Sequence, residues 1–392
     1  MAAFSWLVRP LESDFRARLD TLAARKGLVT SADPARLAAA VRALSDVYNR
    51  RGAAQAHVAS AARDHLGARL AFSFPRDVPK GAAAVRELVG AGLVGLEGRS
   101  LRVLDLGAGL GAMTFGLARA LAAAGHEGSL EVDLVDADPR ALDLASALAR
   151  TTTDDRVRIE ARPSCVVAER PPPPGPFEVV LVGQVLSELD EGAPPEERQA
   201  RHGALLAALF ERLTPTGSLV VVEPALRERA RHLSALRDAW VATRGAVFAP
   251  CLHAAPCPAL SAAGDWCHEE LAIDLPSWLV PVARAAGLRW QGLSFSYLVL
   301  RRDGRTLRDA LGGARLRVVS DLLRTKGKSE VFVCGELPSG PGRERIRRLD
   351  RHASAANAAW ERLGRGVVLP ELGGHPRVAE TTAVAPLGER PR

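Results

Sequence analysis

Five cysteines occur in the 392 residues, and four of them have the types of neighbour and the spacing of metal ligands. Cys251, Cys257 and Cys267 stand within 17 residues of a Pro- and His-rich stretch, and Cys334 follows after 66 intervening residues. Four thiolates can ligate a [4Fe–4S] cube, whose ligand spacings are tolerant. Zinc more often takes paired Cys-x2–4-Cys or Cys/His ligands, a spacing absent here, although His253 or His268 could replace a thiolate. Read as small buried hydrophobes, the three clustered cysteines would have no reason to gather in so short a segment. Cys165 has no clustered partner and reads as a core thiol.

A glycine loop is the second segment that could do chemistry. Val103-Leu-Asp105-Leu-Gly107-Ala-Gly109-Leu-Gly111 reads as the end of a strand, a tight turn and the start of a helix. Gly107 and Gly109 let the backbone approach a ligand, and the helix N-terminus offers free N–H groups. With Ala112 the string also satisfies G-x-G-x-x-G/A, so the glycines alone do not choose the cofactor. Two carboxylates favour S-adenosylmethionine. Asp105 would attract the ligand's ammonium group and repel a pyrophosphate. Asp136, at the end of the next strand, is placed to accept from both ribose hydroxyls. Gln184, after the fourth strand, would lie near the transferred methyl but is no general base, so no catalytic residue is assigned.

The glycine loop and Asp136 resemble class I, seven-stranded methyltransferases. A narrower likeness rests on Pro250-Cys251, Pro256-Cys257-Pro258, Asp265-Trp266-Cys267-His268, Phe295-Ser-Tyr297-Leu, Arg317-Val-Val, Lys326-Gly-Lys328 and Val333-Cys334. Together with Leu104-Asp-Leu-Gly107-Ala-Gly109 and Val185-Leu-Ser-Glu188-Leu189, these resemble the methyltransferase-like family of small-ribosomal-subunit proteins, known from mitochondria and with bacterial relatives. The likeness spans roughly residues 70–365. It implies a class I fold, a [4Fe–4S] cluster on Cys251, Cys257, Cys267 and Cys334, and a role in assembly of the small subunit on its rRNA. The chain departs from the family at Leu110, where Pro is usual, and at Gln184, where relatives often carry another polar residue.

These residues need elements to hold them. Residues 1–100 read as helical, with a helix start at Ser31-Ala-Asp33-Pro34 and a second periodic stretch from Ala82 to Val94 after the Pro-containing segment Phe74–Lys80. From Leu101, β-rich runs at Leu101–Leu106, Leu130–Val135, Val157–Ala161, Phe177–Val182 and Ser218–Val222 alternate with helical stretches. That alternation predicts an α/β fold, a doubly wound, Rossmann-like parallel sheet. The expected division is a helical region over 1–100 and a methyltransferase-like domain over 101–337, with a helical, cysteine-bearing insertion at about 226–290. A basic segment with a poorly ordered tail then fills 338–392.

Charge adds a partner. The chain carries a net +7, and residues 301–365 alone hold 16 Arg/Lys against 8 Asp/Glu. A local excess of this kind suits a polyanion, and Arg can both grip a phosphate and stack on an unpaired base. Arg317, Lys326, Lys328, Arg345, Arg347 and Arg348 are the expected RNA contacts; a solvated basic surface is the plainer reading. Three functions compete: a methyltransferase acting on the small subunit or its rRNA, a non-catalytic RNA-binding assembly factor, and a small-molecule methyltransferase, which the localised charge disfavours. No apolar run nears the 18 or so residues of a membrane span, and Arg9, Glu12 and Asp14 leave no room for a secretory signal. Few cysteines and no signal imply a reducing, cytoplasmic setting.

Overall fold

Strand β4 (Phe177–Gly183) shows why the sheet forms. Its Val179 and Leu181 pack into one apolar cluster and Val180 and Val182 into another on the opposite face. A strand buried on both sides reads as an unbroken apolar run, the mark of a parallel sheet covered twice. The computed structural model describes residues 2–50, 63–96, 98–151, 156–165, 173–190, 192–373 and 376–390. Around β4 stand β1 (Ser100–Leu106), β2 (Gly128–Asp136), β3 (Val157–Cys165), β5 (Leu213–Glu223), β6 (Glu269–Leu271) and β7 (Leu293–Arg301). They form one sheet in the order β3-β2-β1-β4-β5-β7-β6. β1 to β5 are parallel, and β7 runs antiparallel to β5 and β6. This order with its reversed seventh strand is the class I methyltransferase arrangement.

The helices described around the sheet include α1 (Ser13–Arg25), α2 (Pro34–Arg50), α3 (Arg63–Ala68), α4 (Phe74–Gly90), α5 (Ala112–Ala123), α6 (Pro139–Thr151), α7 (Pro195–Phe210) and α8 (Arg227–Arg244). α4 corrects the sequence reading, because Phe74–Lys80 is helical despite Pro75 and Pro79. Pro75 sits in the first turn, where its missing N–H is not needed. The loss at Pro79 is offset by close packing: a Cβ on Gly116 of α5 would collide with the backbone of Gly81 and Ala82, so the two helices meet backbone to backbone. The insertion is helical at its start, in α8, and again over Val280–Ala285; its cysteines lie on the largely irregular chain between α8 and β6.

A second sheet follows. It comprises β8 (Leu316–Val318), β9 (Leu323–Thr325), β10 (Lys328–Leu337), β11 (Gly340–Leu349), β12 (Val368–Leu369) and β13 (Arg377–Val378). The order is β12-β8-β10-β11-β13, with β9 also pairing β10. Its core contains Leu316, Val318, Val331, Val333, Ile346, Trp360, Leu369 and Val378. The last strand of the large sheet ends at Arg301 and the first of the small sheet begins at Leu316. Toward the end of the described chain Val378 and Val384 are buried, and the Leu387 N–H donates to the Val368 carbonyl at 2.8 Å.

Candidate functional site

Between β1 and α5 the chain turns over the carboxyl ends of β1 and β2. Gly107, Gly109 and Gly111 take φ of 66°, 52° and 81°, the left-handed region that a side chain would strain. A side chain on Gly107 would also strike Val185, on the loop after β4. The Gly109 N–H donates to Asp136 Oδ2 at 2.7 Å and the Asp138 N–H to Asp136 Oδ1 at 2.8 Å, which fixes Asp136 beside the loop. Asp105 is buried. Its Oδ2 accepts from the Thr114 N–H at 3.2 Å and the Thr114 hydroxyl at 2.7 Å, while Oδ1 has no partner. Burial pushes its carboxyl up to about 7, against the Thr114 hydrogen bonds and with help from the Asp136 charge.

Two residues that the sequence did not single out complete this edge. Arg69, from a π-helical turn over Arg69–Ser73, donates to Asp138 Oδ2 at 2.8 Å, and its other terminal nitrogen would lie 3.3 Å from a Cβ on Gly109. Asp138 in turn accepts the Arg140 N–H at 3.0 Å and caps α6. The Asp138-Pro139 pair was a readable cap signal; nothing in the sequence marked Arg69.

Gln184 takes φ of 61°, and its N–H donates to the Val222 carbonyl at 2.7 Å. Its side chain bonds Asp77 of α4, which also pairs with Lys80 at 2.9 Å and Arg76 at 3.2 Å. Burial alone would raise the Asp77 carboxyl, but Lys80 and Arg76 hold it well below the carboxylate range. Further along α4, a buried network joins distant segments. Arg86 meets Glu269 at 2.7 Å, Arg317 meets Glu87 at 2.7 Å, and the Tyr297 hydroxyl donates to Glu87 at 3.0 Å. Arg317 Nε also donates to the Pro250 carbonyl at 2.7 Å, beside the first cysteine.

The four cysteines come together between the two sheets. Cys251, Cys257 and Cys267 line one cavity with Arg237, Arg317 and Arg365. Cys334 of β10 stands alongside, its Sγ 3.4 Å from His253 Nε2. Burial, then the nearby Cys251 and Cys257, pushes the Cys267 thiol up to about 12. Cys334 is raised by burial and then by Cys251 and Cys267, against the pull of Arg343. The Arg237, Arg317, Arg343 and Arg365 side chains each keep one buried N–H without an acceptor. Among the described residues no three His, Cys, Asp or Glu side chains converge as a ready-made ligand set for an ion. Cys165 is exposed, not a core thiol.

Residues 98–359, about two thirds of the chain, match the family described as mitochondrial small ribosomal subunit Rsm22. The chain belongs to the Rsm22 family. No curated protein sequence matches it. Among solved structures it is similar to a methyltransferase from Pyrococcus furiosus, at 12% identity over 56% of this chain and 82% of that one, with a TM-score of 0.31. The plantazolicin methyltransferase BpumL in complex with SAH matches at 11% identity over 67% and 95%, with a TM-score of 0.35. For magnesium protoporphyrin IX methyltransferase from Synechocystis PCC 6803 with bound SAM the figures are 18%, 42% and 71%, and the TM-score is 0.28. Strand order, not these scores, defines the fold here. No helix among the described residues is long and apolar enough to cross a membrane.

In this Rsm22-family chain the expected RNA contacts divide by strand face. Arg317 is buried in the Glu87 network, and Arg348 is buried against Asn357 at 3.0 Å and Glu361. Arg348 points to the core side of β11, whereas Arg317 shares the opposite face with Cys334 and Arg343 and is covered there by α4, so both side chains are held in internal pairs. Lys326 is exposed on the β9–β10 turn, and Lys328 pairs with Glu330 at 3.0 Å. Arg345 is exposed, 3.6 Å from Glu330, and Arg347 is half-buried on the same face.

Proposed function

We propose that this protein binds S-adenosylmethionine through Asp105, Gly107, Gly109, Gly111 and Asp136, with Gln184 at the methyl end. It acts as a methyltransferase-like protein on the small ribosomal subunit or its rRNA, in assembly or translation, in a cytoplasmic, bacterial-type setting. The observation that carries the cofactor reading is the buried, unpartnered Oδ1 of Asp105 beneath the glycine loop. A ligand ammonium there would offset the cost of keeping that carboxylate charged. Calorimetric titration with S-adenosylmethionine tests it. Asp136→Ala removes two ribose hydrogen bonds, each worth about 0.5–1.5 kcal/mol, so affinity should fall by about five-fold or more. Equal affinity in both proteins removes Asp136 from the site, and preferential binding of a nicotinamide dinucleotide removes the cofactor class.

An iron–sulfur cluster belongs to the same proposal. Three thiols line one cavity with Cys334 alongside, and cationic side chains with spare N–H groups surround it and would balance an anionic cluster. A four-iron cube also spans more room than one ion, which accords with thiols spread around a cavity rather than focused on a point. Cys251, Cys257, Cys267 and Cys334 would hold it, and when bound it supplies metal–thiolate bonds that tie the insertion to β10. Anaerobic purification should give brown protein with iron, sulfide and absorption near roughly 400 nm. Stoichiometric zinc without iron would make the site a zinc site.

A non-catalytic RNA-binding assembly factor is the second reading, and the tie of Gln184 to the Asp77–Lys80 pair favours it. Methyl incorporation from labelled cofactor into small subunits separates the two.

A further inference from the structure

The registers of the small sheet sort its side chains onto two faces. Val331, Val333, Ile346 and Arg348 point into the core. The opposite face carries Leu323, Glu330, Arg347 and Arg377 as one cross-strand row. Phe332 and Arg345 form the next row, and Cys334 with Arg343 the one after it. Rows along a strand are about 7 Å apart and neighbours within a row about 5 Å.

Three observations show this face to be unfilled. Leu323 is 45% exposed, one of two large hydrophobic side chains left in solvent among the described residues. Phe332 is only half-buried and joins none of the four apolar clusters. Arg345 and Arg377 are exposed, while Arg347 is half-buried. The rows from Lys328 to Phe332 hold four cations (Lys328, Arg345, Arg347 and Arg377) against one acid. That acid, Glu330, is buried and serves to orient Lys328 and Arg345.

We infer that this face is a platform for single-stranded RNA, on which Phe332 stacks a base, Leu323 covers apolar ribose or base surface, and Arg345, Arg347 and Arg377 grip phosphates. An aromatic ring set among arginines on an open sheet suits unstacked bases joined by phosphates. An added peptide strand would instead need a free strand edge, which a sheet face does not offer. The platform rests on the RNA-directed part of the proposed function and gives it an address. It also adjoins the cysteine site, since Arg343 pairs with Asp265 of the insertion and lies opposite Cys334.

Fluorescence polarisation of the full-length protein with a labelled 12-nucleotide uridine RNA, across a salt series, tests the platform. Phe332→Ala should weaken binding about five-fold or more without altering the salt slope, and Phe332→Trp should restore it. Arg347→Ala with Arg377→Ala should flatten the slope by about 1.4, from roughly 0.7 per lost single-strand contact. Circular dichroism and cofactor titration should match wild type in every variant. If wild type binds the RNA and all the variants bind it equally well, the platform is wrong while the RNA reading stands. Wild type that binds no RNA overturns both. Variants that keep RNA affinity but lose small subunits would assign the face to a protein partner and overturn the platform.

Discussion

Asp105 shows the sharpest chemistry at the scale of single residues. Its carboxyl is raised to about 7 by burial, so the folded protein holds that proton more tightly than the unfolded chain, where the ordinary value is 3.8. The group's contribution to stability is therefore complete below about pH 4 and is lost as pH rises through about 7. Binding of a cationic ammonium requires the opposite, ionised form. Affinity for S-adenosylmethionine should thus rise about five-fold or more between pH 6 and pH 7.5, and calorimetry on Asp105→Asn should give a weak, nearly flat profile. The ligand-free variant should melt no lower than wild type at pH 7.5, because an unpartnered buried charge has gone. The glycines, Asp105 and Asp136 were legible in the sequence because strand, turn and helix start are local. Arg69 was not, since only packing brings it across 69 positions to Asp138. The burial of Arg317 and Arg348 was not legible, because both faces of a strand in an Arg-rich chain carry the same residue type.

The decisive element is α4, whose N-terminal half reaches the end of β4 while its C-terminal half enters the buried network. Arg317→Ala should cost about 3–5 kcal/mol in urea unfolding, because the buried Glu87 would lose the guanidinium 2.7 Å from it. Replacing both Glu87 and Arg317 by leucine should cost less than the two single changes added together, and the double-mutant cycle measures the coupling. If the changes simply add, the pair does not act as a unit. The helix itself was half legible: its periodic second half could be read from Ala82 onward, whereas two prolines hid the first half. The strand β11 was hidden differently, since Gly-Pro-Gly-Arg-Glu-Arg-Ile-Arg-Arg-Leu offers a single β-branched residue to signal its inward face.

Across the whole molecule, two sheets enclose one cysteine site. Metal bound there would add its free energy to folding of the segments it joins, the insertion and β10. In Cys334→Ser, prepared anaerobically, hydrogen exchange should quicken about ten-fold or more in residues 245–276 and in β8 to β13, while β1 to β5 stay protected. Uniform protection would show that the thiols join nothing. The central sheet could be read because each strand advertises itself by an apolar run. Most of the small sheet could not, because four of its six strands have only two or three residues and β11 carries few apolar side chains. The network between the sheets carries a consequence for synthesis. Glu87 and Arg317 lie 230 positions apart. At about 5–20 residues per second, α4 leaves the ribosome roughly 10 to 45 seconds before its arginine partner exists. Throughout that interval the newborn chain displays acids meant for the interior, so its folding must finish from the C-terminal end, and a chain released early carries a helix that proteases can recognise as unfinished.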